Sequence, residues 1–432
     1  MKTFKGFYVE VLGCPKNISD SEFIVREMEK AGLEFKKDPE EADLIVVNTC
    51  AFIISAVAAS VDTINKYIEM GKKIIVTGCL PMRVDRNLIR HRNIIGVLRI
   101  PEFSRFSDFL EGKIVKSRER FIIGFNPSEV SHFTPPHYRY IKIADGCNHR
   151  CAFCTIPHIK GRYRSKPMEI ILKEVQTLPE HVREIILVAQ DTSKYGVDIY
   201  GRQMLHVLLQ KLSGVFNGWI RVMYLYPTTF YPELLKVLKE EENIVKYIDI
   251  PFQHVSTKVL KSMKRGYGKK DVERIVEQIR DAGNFFIRST FIVGSPDETD
   301  KDFNELIEFL NTYRIERIGL FPYYHEEGTA LYSKKDLPDK IKEKRLVELM
   351  KLSGKISREK NQEFIGKSVK VLIDGEEEGE FYGRTEYDAP EIDNIVWIKG
   401  ECNEGDFEEA YIVDSLDYEL IGDRVQKTGS QG

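Results

Sequence analysis

No stretch of this chain approaches the roughly 18 consecutive apolar residues that cross a membrane as a helix. The opening residues, MKTFKGFYVEVLGC, lack the apolar core and the small-residue cleavage site of a secretion signal. Low-complexity tracts are missing too, and 42% apolar with 30% charged residues is typical of a folded globular protein. We therefore expect a cytoplasmic protein with no membrane partner. Its 432 residues are enough for two or three domains.

The cysteines do not form the even, closely spaced set that marks a disulfide-stapled secreted domain. There are seven of them, in a long chain without an export signal, which argues against a disulfide framework. Metal or redox chemistry in a reducing compartment is the better interpretation.

Residues 1–115 alternate strand and helix patterns. The apolar runs FYVEVLG, DLIVVNT and KIIVTG predict strands, each followed by a helical stretch, and the first helix is expected to begin at Ser19 or Asp20 and to end at Gly32. This order predicts a parallel sheet packed against helices, an α/β sandwich. The charged segment EGKIVKSRERF and the pair Pro135 and Pro136 suggest a linker after it.

Two further domains follow. Residues 135–360 contain six β/α units, which predict an open, partial (β/α)6 barrel rather than a closed eight-unit one, ended by a long charged helix over about residues 338–364. Residues 361–428 change to short strands separated by glycine, among them SVKVLIDG, EFYGRT, NIVWIKG and EAYIVDS, which predict a small antiparallel OB-like β-barrel. The whole is an α/β multidomain protein.

The strongest chemical signal is Cys147, Cys151 and Cys154, a C-x3-C-x2-C run directly after the strand YIKIADG. Three thiolates from one loop can hold three irons of a [4Fe-4S] cluster and leave the fourth iron open to a substrate or cosubstrate. The alternative is a structural zinc site with His149 or His158 as the fourth ligand. Such sites usually need a second cysteine pair nearby, and the sequence offers none.

A second group consists of Cys14, Cys50 and Cys79, which follow the three apolar strands of the first domain. In a parallel sheet the carboxyl ends of the strands meet at one edge, where ligands bind. Three thiols therefore converge there, and a second cluster with an open iron is expected. The alternative is three buried structural cysteines, because free cysteine is among the most buried residue types. The seventh cysteine, Cys402, is expected to be structural.

Other candidate site residues lie near predicted strand ends of the barrel. Gln190 follows the second strand and Gly294 the fifth, on the rim where barrel enzymes place their sites. Gly294 either lets a cofactor approach the backbone or simply forms a turn. Arg164 is expected to contact a carboxylate or phosphate, unless it is an ordinary surface residue.

With Phe153 just before the third cysteine, the C-x3-C-x2-C run resembles that of the radical S-adenosylmethionine (SAM) superfamily. The three-domain arrangement, with a terminal TRAM-type β domain, resembles the methylthiotransferases. The motifs that carry this resemblance are VLGCPKN, NTCAFI, GCL, DGCNHRCAFCTIPHIKGRYRS, LVAQDTSKYG, PFQH, MKRGY and GRTEYDAPEID. Two departures stand out: GSPDET replaces a GFPGET-like segment, and Lys166 stands where a second arginine is common.

His254 after PFQ, together with GRTEYDAPEID, is most similar to the RimO type of methylthiotransferase. The resemblance implies two [4Fe-4S] clusters and two SAM molecules, and an electron donor as partner. It places Phe153 in the cofactor site, where Gln190, Gly294 and Arg164 are also expected from their positions and chemistry. The implied reaction adds a methylthio group to the β-carbon of an aspartate in the twelfth small-subunit ribosomal protein.

The distribution of charge bears on that partner. Residues 361–432 carry 19 acidic and 6 basic side chains, a net charge of −13, and the rest of the chain carries +10. An acidic domain repels RNA and attracts a basic ribosomal protein, unless it is only an ordinary solvated face. Two alternatives stay open: a tRNA adenosine methylthiotransferase with the same machinery, and a non-catalytic, zinc-stabilised binding protein.

Overall fold

The computed structural model describes residues 4–84, 89–100, 106 and 131–425. Its N-terminal unit is a five-stranded sheet in the order β2-β1-β3-β4-β5, with every pairing parallel. The strands are β1 Gly6–Val11, β2 Glu34–Phe35, β3 Leu44–Thr49, β4 Lys73–Gly78 and β5 Ile94–Val97. The predicted parallel sheet is confirmed, and the short edge strands β2 and β5 complete it.

The helices of this unit are Pro15–Lys30, Ile54–Glu69 and Leu80–Arg83. The predicted start of the first helix at Ser19 or Asp20 is wrong, because the helix begins at Pro15. A proline suits the first helical position, since its missing N–H would have no partner there. The Asn17 side chain fixes this turn by donating to Leu12 O at 2.7 Å and Thr49 O at 3.1 Å. Cys14 therefore lies at the N-cap of the helix.

The central unit contains six parallel strands in two neighbouring three-stranded sheets, β10-β9-β6 and β11-β12-β13. A single bridge, Ile220 to Ile244, connects the two sheets. The strands are β6 Tyr138–Lys142, β9 Glu184–Val188, β10 Trp219–Val222, β11 Tyr247–Asp249, β12 Phe286–Val293 and β13 Arg317–Pro322. A small antiparallel pair, β7 Ala144–Asp145 with β8 Arg164–Ser165, flanks the cysteine loop. This arrangement fits the predicted open six-unit barrel.

Helices cover the outside of that barrel and bury one continuous apolar core against its strands. They are Ile156–Lys160, Met168–Gln176, Val197–Tyr200, Leu205–Ser213, Pro232–Glu240, Thr257–Ser262, Lys269–Ala282, Asp300–Tyr313 and Asp339–Gln362. Within the described ranges, no helix is both long and apolar enough to cross a membrane.

The C-terminal unit is a closed five-stranded barrel in the order β14-β15-β16-β18-β17. Its strands are β14 Ser368–Glu377, β15 Glu380–Arg384, β16 Ile395–Lys399, β17 Phe407–Ser415 and β18 Glu419–Arg424. The predicted barrel is confirmed with one correction: β16 and β18 pair in parallel, while the other pairings are antiparallel. β17 pairs with β14 at the other end of the sheet, and β18 returns antiparallel to β17. The parallel pairing of β18 with β16 then closes the barrel.

The loop between β15 and β16 docks the small barrel onto the large one. Buried ion pairs join Arg384 to Glu184 at 2.6 Å and Arg317 to Asp388 at 2.7 Å. Much of the GRTEYDAPEID segment is therefore buried between domains. The predicted linker 111–121, the predicted domain end at 115 and residues 426–428 lie outside the described part of the chain, so the domain boundaries stay predictions.

Candidate active site

Cys14, Cys50 and Cys79, here called the sheet trio, lie beyond the carboxyl ends of the adjacent strands β1, β3 and β4. Cys50 and Cys79 directly follow their strands, whereas Leu12 and Gly13 separate Cys14 from β1. A Cβ atom on Gly13 would lie 3.1 Å from Cys50 Sγ, and the three thiols influence one another electrostatically. The structure thus brings together three residues that are 29 and 36 positions apart in sequence.

The thiols of the sheet trio differ in acidity. Burial raises the pKa of Cys14, but the ammonium groups of Lys16 and Lys160 more than offset this, so its pKa falls below its ordinary value. Burial raises the pKa of Cys79 to about 12 and also raises that of Cys50. Because metals bind thiolates, loading this trio must release protons, and Cys14 is the readiest to lose one.

Cys147, Cys151 and Cys154, the barrel trio, lie in the loop after β7. Backbone hydrogen bonds shape this loop: Cys147 N–H donates to Gly161 O at 3.0 Å, and Cys154 N–H donates to Cys151 O at 3.2 Å. Burial raises the pKa of Cys147 to about 11 and that of Cys154 to about 12.

Two groups from the barrel contact Cys151. The Arg265 guanidinium donates from Nη1 to Cys151 Sγ at 3.3 Å, and Tyr226 Oη lies 3.7 Å from the same sulfur. His149 stacks on the Tyr226 ring at 3.7 Å, and its Nε2 lies 2.7 Å from Asp191 Oδ2. Neither Arg265 nor Tyr226 was predicted. Arg265 belongs to the MKRGY motif, which was the available signal.

Lys160 ends the short helix that follows the barrel trio and lies close to the sheet trio. Its side chain is only 3% exposed, and Nζ lies 3.3 Å from Asp20 Oδ2. Burial lowers the pKa of Lys160, but the negative charges of Asp145, Asp20 and two thiols of the sheet trio together outweigh this effect. The pKa of Lys160 therefore lies well above its ordinary value. A fixed positive charge from the barrel domain therefore lies beside the sheet trio. The sequence did not single out Lys160, because its partners come from distant segments.

Hydrogen bonds hold the sheet edge against the barrel at the same place. Thr155 Oγ1, next to the barrel trio, donates to Phe52 O at 3.1 Å, two residues after Cys50. Ile54 N–H donates to Glu326 at 2.8 Å, and Arg83 forms an ion pair with the same carboxylate. The two trios accordingly lie at one interface between the first and second domains.

Gln190 has one side-chain atom without a hydrogen-bond partner in the described part of the chain. Its Nε2 donates to Asp145 Oδ1 at 3.0 Å, while its Oε1 is buried without a hydrogen-bond partner among the described residues. An amino donor, such as that of SAM, fits this orphaned acceptor. Arg164 lies opposite Asp145 in the backbone pairing of β7 with β8.

Gly294 and Phe153 have structural surroundings of their own. Gly294 has a φ of +77°, and a Cβ there would lie 2.5 Å from Lys342 Cγ. Packing and conformation thus already require a glycine at this position. Phe153 packs against a small cluster that includes Met263 and Leu331. Cofactor contacts by either residue stay predictions.

The donor set fits four-iron clusters better than single ions. All six thiols are free, and within the described residues no group of three or more His, Cys, Asp or Glu is arranged to hold one metal ion. His149 is engaged by Asp191 and Tyr226, and His158 is exposed, so neither completes a zinc site. Three thiolates with no fourth protein ligand suit a cube with an open iron. Cys402 is buried in the core of the small barrel, far from this chemistry in the fold.

Three family matches account for most of the chain. Residues 141–310 match the Radical SAM superfamily, residues 6–98 match the Uncharacterized protein family UPF0004, and residues 365–425 match the TRAM domain.

Curated relatives extend over nearly the whole length. The ribosomal protein uS12 methylthiotransferase RimO of Thermoanaerobacter sp. (strain X514) is 40% identical over 95% of this chain and 98% of its own. The protein of the same name from Chlorobaculum tepidum is 41% identical, covering 95% and 96%. That from Aquifex aeolicus is 40% identical, covering 95% of each chain.

Solved structures share the fold at low identity. TsrM from Kitasatospora setae, a radical S-adenosylmethionine methyltransferase, has a TM-score of 0.56 at 13% identity, over 74% of this chain and 73% of its own. OxsB, a cobalamin-dependent S-adenosylmethionine radical enzyme, has a TM-score of 0.53 at 13% identity, over 81% and 56%. These likenesses establish the radical SAM fold of the central unit.

Proposed function

The chain belongs to the RimO family of radical SAM methylthiotransferases, and from that membership we propose that it adds a methylthio group to the β-carbon of an aspartate in ribosomal protein uS12. The observation that carries the proposal is the pairing of two thiol trios at one domain interface, where Thr155 Oγ1, next to one trio, donates to Phe52 O, next to the other. One trio alone would supply a radical enzyme without a place for the sulfur.

We propose that each trio holds one [4Fe-4S] cluster and that SAM binds beside the barrel trio, near Gln190. Together these groups supply a radical that takes a hydrogen atom from an unactivated carbon, where no base of ordinary pKa removes a proton readily. The chain contributes geometry and charge. The sheet and barrel loops fix the two trios relative to each other, and the Thr155 and Glu326 hydrogen bonds keep that distance short.

Lys160 contributes positive charge beside the sheet trio. Buried and paired with Asp20, its ammonium group offsets the negative charge of the thiolates of the sheet trio. Lys142 also pairs with Asp20 and, at 3.4 Å, with Asp145, so two lysines face two carboxylates beside the sheet trio.

Product analysis tests the proposed substrate. Anaerobically reconstituted enzyme, supplied with SAM and a reductant, is incubated separately with uS12 and with tRNA, and both products are weighed. We expect the mass of one methylthio group, less one hydrogen, to appear on uS12 only. The same gain on tRNA alone would instead establish a tRNA methylthiotransferase, and its absence from both would contradict the assigned reaction.

The acidic C-terminal barrel is the proposed dock for the basic substrate. Part of its charge is used internally, since Asp388 and Asp393 pair with Arg317 and Arg288 of the central barrel. Another part faces solvent at the turn between β14 and β15. This acidic hairpin consists of the exposed residues Glu376, Glu377, Glu378 and Glu380.

Neutralising the acidic hairpin is expected to weaken substrate capture without changing the chemistry. With all four glutamates replaced by glutamine, KM for uS12 should rise about tenfold at low salt while kcat stays the same, because steering acts before the reaction. The difference should shrink as salt screens the charges.

The matched control replaces four exposed acids elsewhere, Asp281, Glu308, Glu343 and Glu348, by their amides, which changes the net charge equally. Steady-state kinetics at two ionic strengths measure both variants. Equal effects on KM from the two sets would show that net charge, rather than the hairpin, is responsible.

A further inference from the structure

Arg265 is a buried cation that the reaction outlined above does not use. The residue is only 5% exposed, and its guanidinium lies over the ring of Tyr226 at 4.2 Å and near that of Tyr267 at 5.3 Å. Nε donates to Tyr267 Oη and Nη2 donates to Pro251 O, both at 2.8 Å. These contacts fix the plane of the guanidinium group and so determine the direction of its third nitrogen, Nη1.

That nitrogen points at a cysteine sulfur. Nη1 donates to Cys151 Sγ at 3.3 Å. Tyr226 Oη also lies near this sulfur, at 3.7 Å, but its one proton goes to Arg265 O at 3.2 Å. Arg265 is therefore the hydrogen-bond donor that remains on Cys151 when its thiol becomes a thiolate.

The backbone around Arg265 is built for this contact. Ala152 N–H, inside the cysteine loop, donates to Met263 O at 2.9 Å and ties the two segments together. Lys264 and Gly266, on either side of Arg265, both have positive φ angles, +56° and +78°. A lysine in this region is strained by roughly 1–2 kcal/mol, and such strain is found mostly where function requires it.

The charge of Arg265 is not matched by a carboxylate. Among the described residues, its hydrogen-bond partners are a phenol, a carbonyl and the Cys151 sulfur, and it takes part in no ion pair with Asp or Glu. A buried cation without an acidic partner is costly unless a negative group is bound beside it. The barrel trio supplies that group when it carries a cluster, which becomes more negative by one charge on reduction.

We propose that Arg265 is a positioning residue that raises the reduction potential of the cluster on the barrel trio. It donates an N–H hydrogen bond to Cys151 and places a fixed positive charge beside this sulfur. The inference rests on the proposed function, since it assumes a cluster on that trio. One electron enters the cluster, and Arg265 keeps its proton throughout. Hydrogen bonds to cluster sulfurs and nearby charge are recognised determinants of such potentials.

The test is a redox titration followed by electron paramagnetic resonance. All variants are made in a chain whose Cys14, Cys50 and Cys79 are alanine, so that only the barrel cluster gives a signal. At the midpoint potential of the parent chain, we expect the ratio of reduced to oxidised cluster in Arg265→Gln to be about tenfold lower. For one electron, this is a fall of ~59 mV in the midpoint potential. Iron content should stay the same.

One control separates tuning from structure. Arg274→Gln removes an exposed arginine of the neighbouring helix and should leave the midpoint unchanged. An unaltered midpoint in Arg265→Gln, with iron retained, would overturn the proposal.

If Arg265→Gln loses its iron, the same redox titration of Arg265→Lys tests the proposal. Lysine keeps the charge but lacks the fixed fork of donors, so a fall of about threefold in the same ratio is expected. A Lys variant that keeps its cluster at the parent midpoint would then refute the tuning role. If the chain with all six cysteines binds no cluster, the proposed function fails, and that result is distinct from a failure of the inference.

Discussion

Replacement of Cys147, Cys151 and Cys154 by alanine is expected to lower the iron content from about eight to about four atoms per chain and to abolish SAM cleavage. The thiols of this trio come from one loop and have no replacement ligands nearby among the described residues, because His149 is engaged by Asp191. Iron and acid-labile sulfide are counted after anaerobic reconstitution, and 5′-deoxyadenosine is measured by chromatography.

Cys402 provides the control for this experiment. It is also a buried free cysteine, but it lies in the core of the small barrel. Cys402→Ala should keep all the iron and the full SAM cleavage, with some loss of stability from the cavity that it leaves. Retention of all iron by the triple variant would contradict the ligand assignment.

Removal of the sheet trio is expected to separate the two halves of the reaction. The Cys14, Cys50 and Cys79 triple alanine variant should keep about four irons and still form 5′-deoxyadenosine, since the barrel trio is intact. It should form no methylthio product, because the site that presents sulfur is gone. Mass spectrometry of uS12 and assay of 5′-deoxyadenosine in the same reaction measure both outcomes.

The opposite pattern would be decisive against the proposed roles. A sheet-trio variant that still modifies uS12 would place the sulfur source elsewhere. If this variant lost all iron, the trios would not be independent sites, and the interface held by Glu326 and Thr155 would have to be formed jointly with the clusters. Circular dichroism of both triple variants shows whether the fold is retained.

The sequence predicted that the sheet trio comes together because a simple rule of sheet topology applies. Cys14, Cys50 and Cys79 each follow an apolar run, and parallel strands place their carboxyl ends on one edge. The rule predicts convergence even though the residues are far apart in the chain. It predicted the helix after Cys14 less well, because Pro15 and the buried Asn17 start that helix earlier than the pattern of apolar residues suggested.

The motifs were read correctly, but their surroundings were not visible in them. GRTEYDAPEID marked the family branch, yet Arg384 and Asp388 are buried between barrels. MKRGY was recognised as a matching motif, while the bond from Arg265 to Cys151 joins residues 114 positions apart. Gly294 was assigned to a cofactor, and the structure shows that Lys342 already requires a glycine there.

The sequence alone determined the three-domain order, the strand and helix periodicities and the two groups of three cysteines, because each depends on local spacing or on a rule that holds for any parallel sheet. Only the tertiary structure decided that Lys160 of the barrel domain lies beside the sheet trio and that Arg265 reaches Cys151. Both contacts join side chains from separate domains or distant loops, and their burial and charge depend on how those segments pack.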